Sequence, residues 1–214
     1  TLEVSGTFTE AVGIESILVN DEPATISGNS FSANLQLTEG PQSIVIELKD
    51  KAGNVNTITK TTTLDTTPVQ ISNVQPASDI YITVGQATIT GQVSEEATVR
   101  VGQVDAEVEN GSFSAIVPLP SCGEHQFQIV ATDLAGNSSS VVHTLKRDSL
   151  APYVGSLPGN GHTIIESSPT IEVNFGDTCS GVDISSLIIR IDGVDRTSEF
   201  TVSEQNASLL VEGM

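Results

Sequence analysis

Apolar and polar residues alternate along almost the whole chain. Leu2, Val4 and Phe8 share one parity, as do Ile17 and Val19, then Phe31, Ala33, Leu35 and Leu37, then Ile44, Ile46 and Leu48. A period of two puts each set on one face of a strand and leaves Thr, Ser, Gln and Glu on the other. Turn residues punctuate these runs: Asn20-Asp21-Glu22-Pro23, Gly28-Asn29, Glu39-Gly40-Pro41 and Ala52-Gly53-Asn54. Helix formers never accumulate at a spacing of 3.6. The pattern predicts an all-β protein of antiparallel sheets packed face to face.

The chain also repeats itself. Asp50-Lys51-Ala52-Gly53-Asn54 returns as Asp133-Leu134-Ala135-Gly136-Asn137, an offset of 83 residues. Asn29-Ser30-Phe31-Ser32-Ala33 returns as Gly111-Ser112-Phe113-Ser114-Ala115 at offset 82, and Val4-Ser5-Gly6 as Ile89-Thr90-Gly91 at offset 85. Asp65-Thr66-Thr67-Pro68 returns as Asp148-Ser149-Leu150-Ala151-Pro152 with one residue inserted. Four segments in one order at nearly one spacing define a repeat of about 80 residues, the size of a seven-stranded sandwich. A third unit opens after Pro152, with strands expected at 170–175, 187–191, 200–202 and 208–211. The expected domains are 1–66 (first strand missing), 67–150 (complete) and 151–214 (C-terminal strands missing). Pro68 and Pro152 fix φ and restrict the residue before them, so the connectors should be short and extended. The expectation is an elongated rod of tandem sandwiches.

Charge narrows the surroundings. Asp and Glu number 27 against 8 Lys and Arg, a formal charge of −19. Nucleic-acid binding needs clustered basic residues to displace counterions, and an anionic membrane surface would repel this chain. The apolar runs are only three residues, as at Ile44–Ile46 and Leu187–Ile189, so no membrane insertion is expected of this segment. Nor does it open on a basic, apolar leader.

These motifs together resemble bacterial immunoglobulin-like tandem repeat domains, which occur in large surface adhesins and in secreted modular proteins. The residues carrying the likeness are V-x-G near the start, the N/G-S-F-S-A strand, L-x-x-G before the next strand, D-x-A-G-N and D-[ST]-x-x-P. In the third unit Ser168-Pro169-Thr170-Ile171 and Asp177-Thr178-Cys179-Ser180-Gly181-Val182-Asp183 resemble a sister subtype. The resemblance implies tandem immunoglobulin-like β-sandwiches and an extracellular or cell-surface location.

Within such a sandwich, D-x-A-G-N is the hairpin between the last two strands. Its glycine takes a positive φ without steric cost, and its Asp and Asn bond the turn backbone. A second reading adds calcium. The resemblance places the final hairpin, the loop between the second and third strands and the incoming connector at one end of a domain. Asp65, Glu95, Glu96, Asp133 and Asn137 would then meet at the first junction, and Asp148, Asp177 and Asp183 at the second. Calcium takes six to eight oxygen ligands of these kinds and would offset the repulsion among the carboxylates. No cofactor is otherwise required. The same topology puts Cys122, in the loop before the penultimate strand of unit two, opposite Cys179 of unit three. A disulfide there would clamp the two domains in an exported protein, two free thiols being the alternative.

Catalytic chemistry is not expected. His125, His143 and His162 have no zinc-like spacing, and no G-x-S-x-G elbow, P-loop or dinucleotide fingerprint occurs. Glu95-Glu96 imitates a glycosidase pair only in sequence, because no cleft is implied. The expected role is a non-catalytic stalk or spacer of an exported bacterial surface protein, an adhesin. Its partners would be neighbouring domains of the same chain, with a host receptor or glycan reached through other domains. The alternative is an accessory carbohydrate-binding module of a secreted polysaccharide-active enzyme. Trp is absent, and Tyr81 and Tyr153 are the candidate exposed rings for that role.

Overall fold

Period-two alternation becomes facing sheets. The computed structural model describes residues 1–10 and 13–211. It divides into two compact units, residues 1–68 with 133–137 and residues 69–132 with 138–214.

The first unit contains β1 (Leu2–Thr7), β2 (Ile14–Val19), β3 (Glu22–Pro23), β4 (Thr25–Ser27), β5 (Ser30–Leu35), β6 (Gly40–Asp50) and β7 (Val55–Leu64). One sheet has the order β1-β5-β4 and the other β3-β2-β6-β7. Every neighbouring pair is antiparallel. Ile17, Val19, Phe31, Leu35 and Ile44 form the buried centre. Each such side chain, fully buried, contributes about 1.5–3 kcal/mol. The β2–β3 hairpin closes through Asn20 and Asp21, both at positive φ (48° and 67°). Two successive left-handed residues match the twist of the flanking strands. Asn20 also accepts the Val45 N–H through Oδ1 at 2.7 Å, tying the turn to β6.

The second unit begins with β8 (Ile71–Gln75) and β9 (Tyr81–Ile82). It continues through β10 (Gln86–Val93), β11 (Ala97–Val101), β12 (Val104–Asp105), β13 (Glu107–Glu109), β14 (Ser112–Pro118), β15 (Gly123–Asp133) and β16 (Ser138–Arg147). Its sheets run β13-β14-β10-β8 and β12-β11-β15-β16-β9. Strands β10 to β16 therefore reproduce the order of β1 to β7. Two strands are added: β8 lies antiparallel to β10, and β9 lies parallel to β16. Val69, Ile89, Val101, Phe113, Val117, Leu119, Ile129 and Leu145 belong to a larger core.

The shared V-x-G motif has a packing cause. Gly6 pairs with Phe31 across β1 and β5, and Gly91 with Phe113 across β10 and β14. A Cβ on Gly6 would lie 2.7 Å from the Phe31 ring, and one on Gly91 2.5 Å from the Phe113 ring. Each phenyl ring lies over the side chain its partner lacks.

The second unit goes on with β17 (Tyr153–Leu157), β18 (Thr170–Gly176), β19 (Arg190–Ile191), β20 (Val194–Asp195), β21 (Thr201–Val202) and β22 (Asn206–Leu210). The sheet orders are β17-β18-β22-β21 and β19-β20, around Phe175, Phe200 and Ala207. Tyr153 stands opposite Gly176 as the phenylalanines do opposite their glycines. The strand expected at 187–191 pairs only at Arg190–Ile191. A 3-10 turn at Ile184–Ser186 precedes it, because Asp183 caps that turn through the Ser185 N–H. A second 3-10 turn covers Thr197–Glu199.

Candidate functional site

Asp50 and Asp133 build the same turn twice. Asp50 Oδ1 accepts the N–H groups of Ala52 and Asn54, each at 2.8 Å, while Oδ2 accepts the Asn54 amide at 2.7 Å. Asp133 Oδ1 takes Ala135 N–H at 2.9 Å and Asn137 N–H at 2.8 Å, and Oδ2 takes the Asn137 amide at 3.1 Å. Gly53 and Gly136 sit at φ 90° and 94°. Both carboxylates are buried, and their bonds to the loop satisfy them. The Asn54 side chain, then its N–H, holds Asp50 below its ordinary carboxylate pKa. The repeated motif is thus turn architecture at both positions.

The second copy reaches further. The Asn137 amide also donates to the Asp65 carbonyl at 3.1 Å. Asp65 and Asp133 offer carboxylate oxygens within 4.8 Å of each other. Asp65 Oδ1 accepts the Thr67 N–H at 3.1 Å. Carboxylate and carbonyl oxygens are the hard donors calcium prefers, and these fit it in kind. In number, two carboxylates and one carbonyl are fewer than the six to eight oxygens it takes. The Asn137 NH₂ group supplies the positive pole between them. Glu95 and Glu96 stand in the loop between β10 and β11, where Ser94 Oγ accepts the Gln70 N–H at 2.9 Å.

At the second expected junction Asp148 and Asp177 share one donor, the Ser180 N–H, while Asp183 serves its own loop. Asp177 Oδ1 accepts the N–H groups of Cys179 (2.7 Å), Ser180 (2.8 Å) and Gly181 (3.3 Å). Asp148 takes Leu150 N–H at 2.9 Å and Ser180 N–H at 3.2 Å. Asp183 takes Ser185 Oγ at 2.6 Å and its N–H at 2.9 Å. Hydrogen bonds from Ser180, and from Ser185, hold Asp148 and Asp183 below their ordinary values.

One clasp holds the segment that leaves the first repeat, and a second ties the second repeat to the loop after β18. Glu39 receives Thr66 N–H at 3.0 Å, Thr66 Oγ1 at 2.7 Å and Thr67 Oγ1 at 3.1 Å. The Thr66 hydroxyl, together with its N–H, pulls the Glu39 carboxyl below its usual range. In the second repeat, Cys122 and Cys179 are joined by a disulfide with a Cα–Cα distance of 5.8 Å, spanning 57 residues. Nearby, Arg147 Nη1 donates to the Leu119 carbonyl at 2.8 Å. Glu39 and Cys122 are equivalent positions: each immediately precedes the glycine that opens β6 or β15. Sequence reading singled out the cysteine alone. The signal that would have found Glu39 is that shared position, before Gly40 and Gly123.

The remaining candidates are separate. His125 Nε2 contacts the Ser121 carbonyl at 2.8 Å. His143 is buried, and its Nε2 has no hydrogen-bond partner. Burial pushes His143 below its ordinary value, against the opposing pull of the Pro76 carbonyl and Asp79. Tyr81 and Tyr153 are 54% and 59% exposed. No helix among the described residues is long and apolar enough to cross a membrane.

No protein-family model matches the chain, and no curated protein matches it. Solved structures do. The fibronectin(III)-like modules of Clostridium thermocellum CbhA match with a TM-score of 0.38 and 12% identity, over 68% of this chain and 83% of that one. The cis-dimer of protocadherin gammaB7 EC3-6 matches with a TM-score of 0.45 and 16% identity, over 96% of this chain and 59% of that one. A Ca2+-stabilized adhesin with which an Antarctic bacterium binds ice matches with a TM-score of 0.31 and 19% identity, over 99% of this chain and 60% of that one. At these scores none of them assigns a family or a function. The all-β reading rests on the strand order itself.

Proposed function

We propose that this chain is a non-catalytic spacer segment of an exported bacterial surface protein, of the adhesin kind, built from three immunoglobulin-like domains near 1–66, 67–150 and 151–214. The supporting observations are that Glu39 ties down Thr66 and Thr67 as the first repeat ends, and that the disulfide from the equivalent position Cys122 binds the second repeat to Cys179 in the loop after β18. Such ties limit how far a segment can shift when the chain is pulled. A disulfide persists outside the cytosol, and an acidic surface keeps a long repeated protein soluble.

Pulling single molecules from both ends tests the reading. The oxidised chain should unfold in discrete steps and release about 200 Å less length than the reduced chain, because 57 residues span at most ~3.3–3.6 Å each. Featureless extension of the oxidised chain would end the spacer reading.

Calcium belongs to the same proposal, with the carboxylates of Asp65 and Asp133 as its starting ligands and the Asn137 side chain turning its amide oxygen inward to join them. An ion bound only to the folded state would raise the melting midpoint. At ten times its dissociation constant the gain is about 1.4 kcal/mol. An unchanged midpoint between millimolar calcium and chelator would remove the ion. The exposed rings of Tyr81 and Tyr153 favour the glycan-binding alternative, which retention of the chain on immobilised polysaccharide would support.

A further inference from the structure

Two asparagines of the chain are followed by glycine, Asn110 by Gly111 and Asn160 by Gly161. That pairing carries a chemistry of its own. The nitrogen of the following peptide bond can close a five-membered ring on the asparagine Cγ, and glycine sets no Cβ beside that nitrogen. The fold decides whether nitrogen and Cγ can meet.

It treats the two pairs differently. Asn110 sits at the tip of the β13–β14 hairpin with φ 50°, and Gly111 follows at 76°. Glu109 faces Ser112 across that turn, and the Gly111 carbonyl accepts the Val93 N–H at 2.9 Å. A Cβ on Gly111 would lie 3.4 Å from the Val93 carbonyl, so this peptide is packed against the end of β10. Turning it towards the Asn110 side chain breaks it out of the ladder. Asn160 and Gly161 lie in the connection between β17 and β18, and both are exposed. Gly161 has φ 76°, and the His162 N–H donates to the Gly159 carbonyl at 3.1 Å across the turn. Among the described residues beyond its chain neighbours, no atom lies within 4 Å of where a Gly161 Cβ would stand.

We infer that Asn160 is a self-modification site, converting through a succinimide to aspartate and isoaspartate in the folded chain, while the ladder protects Asn110. The Gly161 nitrogen gives its proton to solvent base and forms a bond to Asn160 Cγ. The Cγ–Nδ2 bond breaks and ammonia leaves. Water then opens the ring. Attack at Cγ gives aspartate in an ordinary main chain, and attack at the main-chain carbonyl of residue 160 routes the chain through Cγ as isoaspartate. One water is consumed and one ammonia released, with no oxidation or reduction. Either product adds a negative charge. Isoaspartate also lengthens the main chain by one carbon, which the connection of residues 158–169 absorbs outside the β17–β18 register, where Tyr153 faces Gly176 and Leu157 faces Glu172. The same insertion at Asn110 would enter the two-residue turn that sets Glu109 opposite Ser112. This chemistry is independent of the spacer reading.

The experiment incubates the full chain at mildly alkaline pH and maps its peptides by mass spectrometry, with fragmentation that separates isoaspartate from aspartate. Asn160 should gain the mass difference between an amide and an acid, as both isomers, at least about tenfold faster than Asn110. The rate should rise with pH, because Gly161 must lose its N–H proton. In denaturant, where neither turn is held, the two rates should agree to within about threefold. Asn160→Gln should remove the fast release of ammonia, because its longer side chain needs a larger ring. An unmodified Asn160 in the folded chain, under conditions that convert the denatured chain, overturns the inference. So does equal conversion of both asparagines in the folded chain, a tenfold difference that persists in denaturant, or aspartate formed without isoaspartate.

Discussion

The first and second repeats share one strand order and differ in how completely it is covered. Both set a phenylalanine over a glycine, and both close the last hairpin on a buried aspartate. Phe113 is 2% exposed and Phe31 8%. Ile129, fully buried, contrasts with the half-covered Ile46. Motif residues thus fix pairing and turns, whereas the depth of the core depends on β8 and β9. The comparison breaks most visibly at the two rings. Phe113→Ala should cost about 3–5 kcal/mol, because it leaves a cavity in a closed core. Phe31→Ala should cost less, because its site is less completely closed. Denaturant midpoints of the two variants decide it, and equal losses would contradict the difference in cover.

The two clasps are the next largest contrast. Reducing Cys122–Cys179, or replacing both residues with serine, should lower stability by roughly 4 kcal/mol in the chain-entropy model, read from denaturant unfolding with and without reductant. Its equivalent, Glu39, acts through exposed hydrogen bonds that water weakens. Glu39→Ala should therefore have a far smaller effect on the melting midpoint, and added salt should shrink it further. A Glu39 effect as large as that of the disulfide would mean that the connector at Thr66–Thr67 is central to folding of the first unit.

Much of this architecture is legible in the residues alone. Period-two alternation marks β5, β6 and β14, and the D-x-A-G-N repeat locates two hairpins, because turn chemistry is local. Glu39 stays hidden because its partners lie 27 and 28 residues away and a lone glutamate before a glycine carries no local signature. The third region is harder still. Leu187–Ile189 form an apolar run such as a buried strand has, yet Asp183 caps a 3-10 turn before them and Asp195 accepts the Thr197 N–H where the next one begins. Asp148, Asp177 and Asp183 look alike in sequence, but Asp148 and Asp177 converge on the Ser180 N–H whereas Asp183 bonds only to its own loop at Ser185 and Ser186.

The smallest expected effect separates the repeats by pH. His143 faces Phe127 across β15 and β16, and the equivalent pair in the first repeat is Lys60 and Ile44. Lys60 is exposed, whereas His143 is buried with Nε2 unpartnered. Desolvation lowers the folded-state pKa of His143 from its ordinary 6.5, even with Asp79 nearby. Just below that value the unfolded chain therefore binds more protons than the folded one, and stability falls as the solution is acidified. The contribution is complete above the ordinary value and is lost as pH drops towards the depressed folded one. Melting of the second unit should show this decline, His143→Leu should flatten it, and the first unit should show neither. A wild-type slope that survives in the leucine variant would assign the acid sensitivity to the carboxylates instead. Those titrate lower, since hydrogen bonds hold Asp50 and Asp148 beneath their ordinary 3.8.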